Sequence, residues 1–284
     1  MQSQSSPVVL TFGPTDPVGA LGVQADLGCF AAMGCHGVSV VTSILIADTA
    51  RVEDMQVIDS DWVADQARVL LEDMTVSAFK VGAVGSADNV AAIAEIMADY
   101  PDVPLILDPF LSALPDPDQE WEPVLMAMRE LLVPQATLFM ASAVELARFA
   151  ESWRDTGGTD MLGADVAHLT GSGCEYVLIT GTRLDAQELA NTLFDSAGKL
   201  RQDAWRRLPG SFSGAGSTIS GTVAALLANG MDVPEAVVEA QEFTHAALVN
   251  AHRLGMGRLT PDRYFWARDE NNAPADTSSP PVDA

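Results

Sequence analysis

Basic side chains are scarce in this 284-residue chain: 15 Lys and Arg stand against 39 Asp and Glu, a formal charge of −24. A surface so anionic excludes nucleic acid and anionic membranes as partners. An anionic small ligand would have to be held by backbone N–H groups, helix ends and a divalent cation. Cysteine is also sparse. Cys29, Cys35 and Cys174 lie in apolar contexts with no C-x-x-C spacing, so no disulfide framework is expected and the three read as buried thiols of a reducing cytosol. No run approaches the roughly 18 apolar residues of a membrane span. Met1 to Pro7 is polar and short, unlike a signal peptide, so a soluble cytoplasmic protein is expected. Internal repeats and Pro- or Ser-rich linkers are lacking as well. With 48% apolar residues, the chain is long enough for a substantial core, and a single domain over residues 8–267 is expected between a disordered N-terminus, 1–7, and a disordered acidic tail, 268–284.

What is present is alternation of strands and helices from end to end, the pattern of an α/β protein with a mostly parallel sheet. Val8 to Phe12 reads as a buried strand stopping at Gly13-Pro14, and a glycine-containing turn leads to a helix from about Val23 to Met33. Val38 to Ile46 is a second strand, and Asp48 to Asp59 forms an edge hairpin or flap. Asp61 reads as the N-cap of a helix from Trp62 to Met74. Further strands are expected at Ala78–Val81, Leu105–Leu107, Thr137–Met140 and Tyr176–Thr180. A late antiparallel pair is expected at Leu189–Asp195 and Ala204–Leu208. Helices are expected at Asp88–Asp99, Trp121–Leu132, Val144–Glu151 and Met161–Leu169, with Thr218–Asn229 and Pro234–His252 closing the chain.

Chemistry gathers at strand and helix ends. Asp108 closes a buried strand, and in open α/β sheets ligands bind in the crevice beyond the strand ends. Gly214-Ala215-Gly216-Ser217 precedes an apolar helix. Two glycines separated by one small residue let backbone N–H groups converge on a phosphate at a positively polarised helix start. Alone, such a turn is more often an ordinary loop-to-helix junction. Asp26 by itself reads equally as an exposed helix residue, Glu145 as a first-turn carboxylate and Asp108 as a turn cap.

Taken in order, Thr15-Asp16-Pro17, Gly19, Gly22, Gln24-Ala25-Asp26-Leu27, Lys80-Val81-Gly82, Leu107-Asp108-Pro109, Glu145, Thr180-Gly181 and Gly214-Ala215-Gly216 resemble the hydroxymethylpyrimidine and phosphomethylpyrimidine kinases of thiamine biosynthesis over about residues 8 to 266. The resemblance implies a ribokinase-like three-layer α/β/α fold, a homodimer, and ATP and Mg as cofactors. It implies transfer of the γ-phosphoryl group to the hydroxymethyl of 4-amino-5-hydroxymethyl-2-methylpyrimidine, and then to the resulting monophosphate. Gly214, Ala215, Gly216 and Ser217 would form the catalytic cradle, and Asp108 and Glu145 would hold the metal. Thr180, Gly181 and Ser142 would contact nucleotide, and Asp26, Ala47, Pro14 and Ala83 would line the pyrimidine pocket.

The departures from the family pattern concentrate at that site. Ser217 stands where the family has a cysteine, the presumed base; a thiol at a helix N-terminus ionises near neutral pH and a serine hydroxyl does not. Ala47 replaces a Gln that pairs with the pyrimidine edge, and Ala83 replaces a Met. In the first loop Pro14 deletes a backbone donor while Val18 and Leu21 add bulk. Met140-Ala141-Ser142-Ala143-Val144-Glu145 stands where the family usually reads Thr-Pro-Asn-x-x-Glu. His36, His168, His245 and His252 are the available imidazoles, none in a motif that places it beside Ser217. Two readings stay open: an active kinase on the pyrimidine or a related vitamer alcohol, and an impaired paralogue that binds ligand or regulates.

Overall fold

The computed structural model describes residues 6–109, 114, 121–153 and 161–267. The expected disorder of the acidic tail lies outside these residues, as does that of residues 1–5.

Nine strands form one sheet among the described residues, in the order β3-β2-β1-β4-β5-β6-β7-β8-β9. The strands β1 (Val8–Thr15), β2 (His36–Ala47), β4 (Ala78–Val81), β5 (Leu105–Leu107), β6 (Leu138–Ser142) and β7 (Tyr176–Arg183) run parallel. Antiparallel neighbours close both edges: β3 (Val52–Val57) on one, β8 (Glu188–Asp195) and β9 (Gly198–Arg206) on the other. Successive residues of the inner strands feed two cores. Leu10, Phe79, Leu105 and Phe139 pack on one face, whereas Val9, Ala78, Ile106 and Leu138 pack on the other, as a parallel sheet covered on both sides requires.

The first face carries the helices α2 (Ser60–Asp73), α3 (Ala87–Ala98), α4 (Trp121–Ala127), α5 (Ala143–Ala150) and α6 (Leu162–Gly171). The second carries α1 (Gly22–Ala32), α7 (Ala215–Ala228) and α8 (Val233–Val249). Strand order reverses beside β1, where β2 and β4 flank it. This is the switch point at which such sheets open a crevice.

Several boundaries differ from the local reading. β1 does not stop at Gly13-Pro14 but continues to Thr15, because its register against β2 shifts between those residues; a bulge tolerates a proline that cannot donate. The N-cap of α2 is Asp59, whose carboxylate accepts from Asp61 N–H, and Asp61 itself sits in the first turn. The expected helix to Leu132 ends as α4 at Ala127 and relaxes into a wider turn over Met128–Leu132 and a tight one over Val133–Gln135. β9 begins at Gly198, well before Ala204. Lys199, Leu200, Arg201 and Gln202 are all exposed on an edge strand, and a run with one apolar residue in four hides the strand from an apolar pattern. The helix read from Thr218 starts at Ala215, which places the glycine motif inside its first turn. The stretch Asp48 to Asp59 contains β3, so β2 and β3 form the edge hairpin with residues 48–51 at its tip.

Candidate active site

Gly214 is the N-cap of α7 with φ +91. A Cβ there would meet the Ala20 carbonyl oxygen at 2.0 Å, so only glycine fits. The first intrahelical bond runs from Thr218 N–H to Gly214 O at 2.9 Å. The N–H groups of Ala215, Gly216 and Ser217 therefore precede the helical ladder and are the polarised donors of a helix start.

Those residues line a cavity of about 210 Å³ together with Asp108, Glu145, Ser142 and Thr180. Asp108 follows β5, Ser142 ends β6 and Thr180 lies in β7, so parallel strands deliver all three to one edge of the sheet. Ser142 and Glu145 also form a capping box at the start of α5: Ser142 N–H donates to Glu145 Oε2 at 2.8 Å and Glu145 N–H to Ser142 Oγ at 3.2 Å. Glu145 thus serves its helix as well as facing the cavity.

Beneath the cavity lies a buried charge chain. Lys80 Nζ lies 2.9 Å from Asp26 Oδ1 and donates to Oδ2 at 3.0 Å, while Thr11 Oγ1 donates to the same Oδ2 at 2.6 Å. Burial pushes the Lys80 ammonium down, but Asp26 and Asp108 outweigh it and hold its pKa above the usual lysine value. Burial raises the Asp108 carboxyl to about 6, opposed by Lys80 and by the Ser220 hydroxyl, which donates to Oδ2 at 2.7 Å. Asp26 is completely buried, unlike the exposed helix residue it could have been.

Two further clefts adjoin the cavity. One of about 400 Å³ shares Thr180, Phe212, Ala215 and Gly216 with it and adds Gly181, Trp205, Gln241 and His245. Its wall is braced by polar contacts: Gly181 N–H donates to Asn191 Oδ1 at 2.8 Å, and both Asn191 Nδ2 and Trp205 Nε1 donate to Gln241 Oε1. On the opposite side a smaller cleft of about 150 Å³ shares Leu21, Ser213 and Arg258 and is lined by Asp16, Val18 and Ala47. The first loop that walls it folds around the Asp16 carboxylate, which accepts from Val18, Ala20 and Leu21 N–H.

Of the residues singled out in the sequence, Gly214, Ala215, Gly216, Ser217, Asp108, Glu145, Ser142 and Thr180 meet at the central cavity, and Gly181 lies in the adjoining large cleft. Ala47 lines the small cleft. Asp26 points into the buried charge chain, Ala83 packs in the apolar core and Pro14 sits at the β1 bulge. Of the imidazoles, His245 lies over Trp205 at the large cleft, with ring centroids 5.3 Å apart, and His168 stacks on Trp153. The sequence reading assigned no role to Lys80, Ser220, Arg258 or Arg263. Lys80 left one signal, a charge inside an apolar four-residue strand. Arg258 left another, as a scarce cation in a Gly-Met-Gly-Arg segment.

A parallel sheet covered on both faces, with a glycine-capped helix start and two carboxylates beyond the ends of its inner strands, has the ribokinase-like three-layer α/β/α fold. The family model described as phosphomethylpyrimidine kinase matches residues 16–262. The hydroxymethylpyrimidine/phosphomethylpyrimidine kinase of Escherichia coli is 30% identical over 91% of this chain and 97% of its own. That of Salmonella typhimurium is 31% identical with the same coverage. The chain belongs to the phosphomethylpyrimidine kinase family, kinases of thiamine biosynthesis. In fold it is similar to a Bacillus subtilis pyridoxal kinase solved as an ADP complex, with a TM-score of 0.80 at 24% identity over 93% of this chain and 100% of that one.

Proposed function

We propose that the chain transfers the γ-phosphoryl group of ATP to 4-amino-5-hydroxymethyl-2-methylpyrimidine and to its monophosphate. The observation that carries this reading is the continuity of the three clefts across the start of α7. ATP occupies the large cleft and its terminal phosphate reaches the N–H groups of Ala215, Gly216 and Ser217. The acceptor enters the small cleft between the first loop and Ala47. A barrier lowered mainly by positioning and charge neutralisation asks for little else.

Mg fits the donor set. Among the described residues there is no group of three or more metal-ligating side chains, yet Mg bound with nucleotide needs only one or two carboxylates, the phosphates supplying the rest. Asp108 and Glu145 would hold it, and it would neutralise charge on the phosphate oxygens. Ser217 offers a hydroxyl that can donate to phosphate, and acceptor deprotonation by this side chain is not part of the reading. The family homodimer belongs to this proposal, as does a cytoplasmic location, with which three buried free cysteines are compatible.

One observation favours a second reading, a kinase redirected to another vitamer alcohol or catalytically impaired. Ser217 and Ala47 line the cavity and the small cleft at the two positions where the family carries Cys and Gln. Calorimetric titration with ATP–Mg and with the pyrimidine, followed by an ADP-release assay over several vitamer alcohols, separates them. Turnover of the pyrimidine supports the first reading; turnover of another vitamer alone, or binding without turnover, supports the second. Absence of nucleotide binding defeats both.

A further inference from the structure

The small cleft is roofed by two segments distant in sequence. Arg258 N–H donates to Thr49 O at 2.7 Å and Gly257 N–H to Thr49 Oγ1 at 3.1 Å, so the turn after α8 is fastened to the tip of the β2–β3 hairpin. A Cβ on Gly257 would come within 2.4 Å of the Thr49 and Ala50 backbone, which makes glycine the residue that permits this approach. The backbone of Arg258 is thereby anchored, and the residue lines both the small cleft and the central cavity.

The charges around it are accounted for. Asp16 is saturated by three loop N–H groups, Asp48 accepts from Ala50 and Arg51 N–H, Asp108 from Ser220, and Glu145 from Ser142 N–H. Arg51, also at the small cleft, pairs with Glu53 at 2.9 Å. Among the described residues Arg258 makes no side-chain hydrogen bond or ion pair to a carboxylate of either cleft. In a chain of net charge −24, this exposed basic residue stands at the boundary between the proposed acceptor and transfer sites.

An acceptor that is already a phosphate monoester must place its own anion at that boundary, against the terminal phosphate of ATP. The approach of two anions in an acidic protein requires a cation on the acceptor side, and a guanidinium fork matches a phosphate through paired hydrogen bonds. We propose that Arg258 is a specificity-determining residue that binds the phosphate of a monophosphorylated acceptor and so favours the second phosphorylation over the first. This rests on the kinase reading above.

The test compares Arg258→Ala and Arg258→Lys with the wild type, using the hydroxymethylpyrimidine and its monophosphate as alternative acceptors. The expected result is a KM for the monophosphate raised about 10- to 100-fold in Arg258→Ala, partly restored in Arg258→Lys, with the neutral alcohol changed less than threefold. An equal fall in kcat for both acceptors overturns the proposal, because it places Arg258 on the transferred group instead. Calorimetry with the monophosphate and no nucleotide gives a readout independent of turnover. Wild-type binding weakened by the same factor in Arg258→Ala supports the assignment even if neither acceptor turns over. Absence of binding, or equal binding by both proteins, overturns it. Arg258 is exposed, and matching melting curves establish that the variants fold.

Discussion

The Arg263 guanidinium donates through Nη2 to the carbonyl oxygen of Ala20 at 2.7 Å, joining two residues 243 positions apart. The same side chain donates to Gly19 O, Gly214 O and Thr218 Oγ1. One buried cation therefore clamps the first loop to the N-cap of α7, setting the small cleft against the glycine-capped helix start. Arg263→Ala should leave at least two buried acceptors without donors and cost about 2 to 5 kcal/mol of stability. Urea unfolding measures that loss. The KM for ATP should rise as the cradle loosens, and unchanged stability would show that the clamp is dispensable.

Lys80 and Asp26 form a buried ion pair whose loss should be asymmetric. Lys80→Met strands a carboxylate that is fully buried, with an expected penalty of about 3 to 5 kcal/mol. The double variant Lys80→Met with Asp26→Leu should recover part of it, because no uncompensated charge remains. Denaturant melts of the two singles and the double give the coupling; additive losses would contradict the pairing.

Stability should depend on pH through Asp108. Its carboxyl titrates at about 6 in the folded protein against an ordinary 3.8, with burial as the chief cause. The folded state therefore binds this proton more tightly than the unfolded chain does. Its stabilising contribution is complete below pH 3.8, declines as the pH rises to about 6 and is flat above. At roughly 1.4 kcal/mol per unit, the decline amounts to about 3 kcal/mol. Asp108→Asn should remove this slope from urea unfolding measured across the range, and Mg-dependent turnover of the native protein should rise as the carboxyl ionises through the same interval.

Ser217→Cys combined with Ala47→Gln installs, at the cavity and the small cleft, the two side chains that the family resemblance implies there. ADP release with the pyrimidine should increase by about 100-fold or more, the usual worth of a general base. No gain would locate the obstacle in the first loop, where Val18 and Leu21 line the small cleft.

Strands such as Leu105–Leu107 and helices such as α3 and α8 were legible because their apolar spacing and their caps are local. The failures were also local in origin. Asp59 and Asp61 are equivalent caps by composition, and only the backbone turn decides which carboxylate accepts. β9 opens on an unbroken run of exposed residues, Lys199 to Gln202, that looks like loop until β8 pairs with it. The apolar pattern places the start of α7 three residues late, because Gly214 and Gly216 look like a turn rather than a cap and a first helical turn. At the site, the order of motifs placed Asp108, Glu145 and the glycine cradle near one another. Lys80 shows in the sequence only as a charge inside an apolar strand, and Arg263 carries no mark of the partners it finds.

The sequence by itself determined the alternation of strands and helices and the family. Each of these is carried by local spacing or by motif order. Tertiary structure alone decided that Arg258 stands where two clefts meet, that Arg263 clamps the cradle to the first loop, and that Asp108 holds its proton to about pH 6. Those properties arise from burial and from the convergence of segments more than two hundred residues apart, and no local pattern encodes either.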